Sequence, residues 1–141
     1  MVNEKSLSLI RETEGFRDHA YLCPAGVWTC GFGETGLGIH EGTEMTLMEA
    51  DKRLRIKAQT IEDQINKLVR IPLTENQLAA LVSLVYNIGI GAFTHSTLLI
   101  RLNDGDPEGA ANQFLVWDRI NHVEYPGLLK RRQKEKELFL T

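Results

Sequence analysis

The stretch "ETEGFRDHAYLCPAGVWTCGFGET", from Glu12 to Thr35, changes texture halfway along. Its start closes a helical pattern, with Leu7, Ile10 and Glu14 at helical spacing. Gly15 follows as a C′ residue, the usual place for a left-handed cap. From Tyr21 to Ile39, glycines recur at 26, 31, 33, 36 and 38, with Tyr, Val, Trp, Thr and Phe between them. That composition predicts a small sheet with tight turns, and Pro24–Gly26 marks a turn between two strands. Glu14 therefore sits in the last turn of a helix, where the negative end of the dipole disfavours a carboxylate. Local rules are broken most often at functional sites. A carboxylic acid that keeps its proton is what a general acid needs.

Beyond Thr46 the pattern predicts helix for the rest of the chain. "TLME" (Thr46 to Glu49) reads as a capping box opening a helix that reaches about Val69. "TENQ" (Thr74 to Gln77) reads as a second, opening "QLAALVSLVYNIG", which is apolar almost all round. Such a helix belongs at the buried centre of a helical lobe. "GIGAF" (Gly89 to Phe93) ends it. A short amphipathic helix starts near Ser96, and another opens with Asp106 as N-cap and Pro107 at N1. "PGLLKRRQKEKELFL" closes the chain as a helix, with Leu128, Leu129, Leu138 and Phe139 on its apolar side. The architecture is α+β: a sheet lobe over about residues 15–45, and a helical lobe over about residues 70–141 that also takes the N-terminal helix. Both belong to a single domain, with a cleft between them where ligands bind.

Composition fits an ordinary globular protein: 141 residues, 43% apolar and 25% charged, with a formal net charge of −3. That balance lacks the basic excess of a nucleic-acid binder. No apolar run approaches the ~20 residues that span a bilayer, so no stable membrane insertion is expected. "MVNEKSLSLIRETEG" has no apolar h-region and does not read as a signal peptide. Two cysteines make no disulfide framework. The four histidines have no metal-ligand spacing, and neither a metal nor a cofactor is expected.

Taken together, Glu14, eight residues, Cys23, five residues, Thr29 and then "GFG" form a set. The pattern resembles the phage-type lysozymes, the endolysins of glycoside hydrolase family 24, whose mark is Glu, eight residues, Asp or Cys, five residues, Thr. "EGFRDHAYLCPAGVWTCGFGET" is similar to the family's E-G-x-R-x-x-A-Y-x-D-x-x-G-x-x-T-x-G-Y-G stretch. "TLMEADKRL", "QLAALVSLVYNIGIGAF", "STLLIRLNDGD", "FLVWDR" and "GLLKRRQKEKELF" resemble later segments in order, so nearly the whole chain is covered.

The resemblance implies a lysozyme-like fold and a muramidase that hydrolyses the β-1,4 bond between N-acetylmuramic acid and N-acetylglucosamine in peptidoglycan. Glu14 would be the acid, Cys23 would face the attacked carbon, and Thr29 would hold the water. Phe32 and Gly33 of "GFG", Asn87 on the central helix and Arg131 of "KRR" would support or line the site, Arg131 by reaching Glu14. A cation there favours the carboxylate and opposes the helix dipole. Cys23 stands where many relatives carry Asp, and its role stays open between base, water-positioner and nucleophile. Glu34 stands where relatives often carry His, and Phe32 where Tyr is commoner. Because strand side chains alternate, Cys30 should point away from the cleft that Thr29 faces, and no disulfide with Cys23 is expected. Trp117 is read as core packing.

The resemblance also implies a monomer acting on peptidoglycan glycan strands. It would wait in the host cytoplasm until a separate membrane-pore protein, a holin, admits it to the periplasm and cell wall. Two alternatives keep the fold: a module that binds glycan without cleaving it, and a lytic transglycosylase, which needs only the acid.

Overall fold

The computed structural model describes residues 2–120 and 122–141. The first helix, α1, spans Glu4–Glu14; Asn3 caps it, accepting from the amides of Lys5 and Ser6. It ends because Gly15 turns the chain out at φ 70°, ψ 162°. That is a positive-φ conformation open to glycine, but its ψ is extended rather than left-handed helical as expected. The backbone therefore leaves straight into strand β1, Arg17–Leu22, which pairs antiparallel with β2, Trp28–Gly31. Tyr21 lies opposite Thr29, and the register shifts between Arg17 and Tyr21. The Pro24–Gly26 turn forms as predicted, with the Gly26 amide on the Cys23 carbonyl at 2.8 Å.

Helix α2, Leu47–Leu68, leads away from this sheet. Thr46 caps it by accepting from the Glu49 amide, but only in "TENQ" are both halves of a capping box made, at the start of helix α3, Glu75–Ile88. The run Ala79–Tyr86 of α3 is buried on every side, as its all-apolar pattern predicts. Helices α4 (Ile90–Thr94), α5 (Thr97–Asn103, capped by Ser96) and α6 (Pro107–Gln113, capped by Asp106) pack around it, followed by a 3₁₀ turn at Phe114–Val116. The core runs from Leu7 and Ile10 through Leu54, Leu81 and Leu102 to Phe114 and Phe139. Each such large side chain contributes roughly 1.5–3 kcal/mol when fully buried. The same core extends beneath the sheet to Phe16, Cys30, Phe32 and Met45, with the two phenylalanine rings 5.7 Å apart. Helices α1 and α2 are also tied by an Arg11–Asp51 ion pair.

Two expectations are corrected. The chain is not helical throughout its second half: strands β3 (Arg119–Ile120) and β4 (Val123–Glu124) make a second antiparallel pair. Strands of two residues carry too little alternation to be read from sequence. The last helix, α7, spans Pro126–Leu140, yet its buried residues are Arg131, Arg132, Glu135 and Phe139, and Leu129 is exposed. The face turned to α3 is charged because its cations and carboxylate meet each other rather than water.

Candidate active site

The cleft, of about 840 Å³, lies between the β1–β2 hairpin and helices α3 and α7. Glu14, Tyr21, Cys23, Thr29, Asn87 and Arg131 are among the residues along its walls. Its size is in the range of small-molecule sites.

Glu14 enters from the end of α1 and is held on two sides. Arg131 Nη1 donates to Oε1 at 2.9 Å. On the other side lies Gly33, whose φ is 76°; a Cβ built there would stand 2.1 Å from Oε2. Only glycine fits both the conformation and the space. The neighbouring Phe32 does not reach the cleft with its ring, which is buried against Phe16. Its carbonyl instead accepts a 2.6 Å hydrogen bond from Tyr86 Oη. That bond fixes the Phe32–Gly33 backbone beneath Glu14.

Arg131 is itself buried and committed at every nitrogen. Nη2 donates to the Ser83 carbonyl at 3.1 Å, and Nε to Glu135 Oε2 at 3.3 Å. Burial, then the charges of Glu14 and Glu34, push the Tyr86 hydroxyl far above the ordinary phenol range, with Arg131 opposing. Tyr86 therefore keeps its proton and stays a donor.

On the facing wall, Cys23 sits in the turn after β1, half-buried and free. Burial raises its thiol, but hydrogen bonds from the Val27 backbone, the Thr29 side chain and the Ala25 backbone outweigh it and leave the thiol below its ordinary value. Thr29 has one hydroxyl proton, and Oγ1 also lies 3.0 Å from the Val27 carbonyl. The hydroxyl can serve the carbonyl while Cys23 is a thiol and turn to the sulfur once it is a thiolate. Tyr21 feels both walls: burial raises its hydroxyl first, then Glu14, and also Cys23, with Arg17 opposing. Cys30 points under the sheet, fully buried, its Sγ directed at the carbonyls of Arg17 and Thr43.

Asn87 is exposed at the end of α3. Trp117 packs on the core with one side and lines the cleft with the other. Glu34 turns toward Arg53 at 3.4 Å. The sequence pattern does not mark Tyr86, Ser83 or Glu135. Tyr86 and Ser83 are hidden in an apolar run, and Glu135 in a string of charges that reads as solvated.

The phage lysozyme family model matches residues 11–135. The chain belongs to the phage lysozyme family. It is 44% identical to an endolysin of Acyrthosiphon pisum secondary endosymbiont phage 1 over 98% of its length and 97% of that protein's. Its fold is similar to an endolysin from Escherichia coli O157:H7 phage FAHEc1, with TM-score 0.89 and 31% identity, covering 99% of this chain and 93% of that one. It is also similar to the muramidase domain of SpmX from Asticaccaulis excentricus, with TM-score 0.87 and 39% identity, covering 100% and 98%. This phage lysozyme is thus a glycosidase with the lysozyme-like α+β fold.

Proposed function

We propose that this endolysin muramidase cleaves the β-1,4 bond between N-acetylmuramic acid and N-acetylglucosamine in peptidoglycan, with Glu14 as general acid. The observation that carries the reading is the Glu14 carboxyl pinned between the Arg131 guanidinium and the Gly33 backbone on the cleft wall. Glycoside hydrolysis needs a proton on the leaving oxygen and an attacking group on the far side of the sugar. Glu14 gives its proton to the glycosidic oxygen as the bond to C1 breaks. Water attacks C1, and the Cys23 thiolate takes the proton that the water loses. Thr29 orients that water or the thiolate through its single hydroxyl. The lowered thiol supports a base role for Cys23, since a thiol at its ordinary pKa of ~8.5 is only a few per cent ionised near neutral pH. Asn87 and the cleft face of Trp117 meet the flanking sugars.

The test is clearing of outer-membrane-permeabilised Gram-negative cells, followed by turbidity. Wild type should clear them, and Glu14→Gln should lose at least about 10²-fold in rate. Equal clearing by the two would overturn the acid assignment. Mass spectrometry of the released muropeptides should show reducing ends; 1,6-anhydro ends would mean a transglycosylase.

The protein acts as a monomer and reaches the wall through a separate pore-forming holin. Cells expressing it alone should stay intact until the inner membrane is opened. Lysis without that opening would refute the holin requirement.

A further inference from the structure

Behind Arg131 lies a buried group of charges that the proposed chemistry does not use. Arg132 and Glu135 are both 0% exposed. Glu135 Oε2 accepts from Ser83 Oγ at 2.5 Å, from Arg131 Nε at 3.3 Å and from Arg132 Nη2 at 3.2 Å. Arg132 Nε stands 2.7 Å from Glu135 Oε1, close enough to pair in charge but off the line of a hydrogen bond. Arg132 Nε and Nη1 and Glu135 Oε1 have no hydrogen-bond partner among the described residues. A buried ion pair with orphaned atoms is a poor stabiliser; apolar side chains of the same volume often serve stability as well or better. Something other than stability accounts better for its presence.

We propose that Glu135 is a positioning residue for the acid: it anchors Arg131 through Nε, so that Nη1 points at Glu14, while Arg132 serves as its counter-charge. The inference rests on Glu14 being the general acid. The four groups alternate in sign along the chain Arg132, Glu135, Arg131, Glu14. Two cations and one anion leave the support with a single positive charge toward Glu14. Of the other groups around Glu14, Tyr86 from α3 and Tyr21 from β1 have raised hydroxyls and stay neutral, whereas Cys23 from the turn titrates. The charge of Arg132 and that of Glu14 also act on one another. Burial pulls Arg132 down to about 10 and pushes the Glu135 carboxyl up. Two guanidiniums and the Ser83 hydroxyl face Glu135 and favour its anion, and Arg132 is the guanidinium that is not spent on the acid.

This arrangement predicts losses in kcat rather than in binding. Glu135→Gln removes the anionic anchor of Arg131 and should lower kcat about tenfold with KM unchanged. Arg132→Gln keeps that anchor and should retain a higher kcat than Glu135→Gln. Should a single variant fail to fold, the double variant Arg132→Gln/Glu135→Gln removes the pair without stranding a charge. Its kcat should also fall about tenfold with KM unchanged, because Arg131 has lost its anionic anchor. Full kcat in Glu135→Gln or in the double variant, or a loss carried by KM alone, would overturn the proposal. An active Glu14→Gln would overturn the acid assignment itself, and so separates the two failures.

Discussion

The backbone of Gly33 lies so close beneath the carboxyl of Glu14 that a β-carbon there would stand 2.1 Å from Oε2. A glycine in the turn after β2 and the last residue of α1 thus share one packing surface, which holds the carboxyl in place. Gly33→Ala must displace Glu14 and adopt φ 76° with a side chain. The strain costs on the order of 1–3 kcal/mol. A displacement of about 1 Å at the acid lowers kcat by about 10²-fold. Thermal unfolding and turbidity assays read the two effects separately. An alanine variant with wild-type kcat would show that Gly33 does not position Glu14.

Tyr86 holds the other end of that backbone. Tyr86→Phe leaves the buried Phe32 carbonyl without its donor and should cost about 1–3 kcal/mol of stability. Because the hydroxyl keeps its proton far above neutral pH, the pH–rate profile of this variant should retain both wild-type limbs while its height falls. A lost or shifted limb would mean that Tyr86 itself exchanges a proton in the reaction.

What the sequence makes legible depends on how each residue advertises itself. Glu14 announces itself as a carboxylate at the end of a helical pattern, Gly15 as the glycine that closes that pattern, the Pro24–Gly26 turn by its turn residues, and the Thr74–Gln77 box by its local capping chemistry. Arg132 and Glu135 could not be read this way. Charges three and four residues apart on a helix normally mark a solvated face, and only the packing of α7 on α3 turns them inward. The same holds for Phe32: its place in the motif suggests a cleft residue, yet the positive φ of Gly31 and Gly33 on either side rolls its ring into the core and offers only its carbonyl. Strands β3 and β4 leave no mark in the sequence because two-residue strands have no period.

The acid limb of activity should follow Cys23. A base must be deprotonated, so the rate falls as pH drops through the thiol pKa, which here lies below the ordinary thiol value. Cys23→Asp replaces it with a group whose unperturbed pKa is ~3.9 and should extend activity toward acid pH by a unit or more. Cys23→Ala should lose about 10²–10⁴-fold. Identical acid limbs in wild type and Cys23→Asp would exclude thiol ionisation as the controlling step and leave Cys23 as a water-positioner.

The two thiols should also differ in reactivity. The thiolate is the attacking form, so a half-exposed cysteine with a lowered pKa alkylates ahead of a buried one. Cys23 lines the cleft, whereas Cys30 is fully buried with its sulfur on the Arg17 and Thr43 carbonyls. Iodoacetamide should therefore modify one thiol per native chain, at a rate that rises with pH along the acid limb of activity. Activity should be lost in step with that single modification, because a carboxamidomethyl group on Cys23 fills the space where water must attack. In denaturant both thiols should react. If the native protein loses both thiols without reductant, Cys23 and Cys30 are disulfide-bonded and the opposed facing of their side chains is wrong. If alkylation of Cys23 leaves the rate intact, the attacking water does not approach past the sulfur.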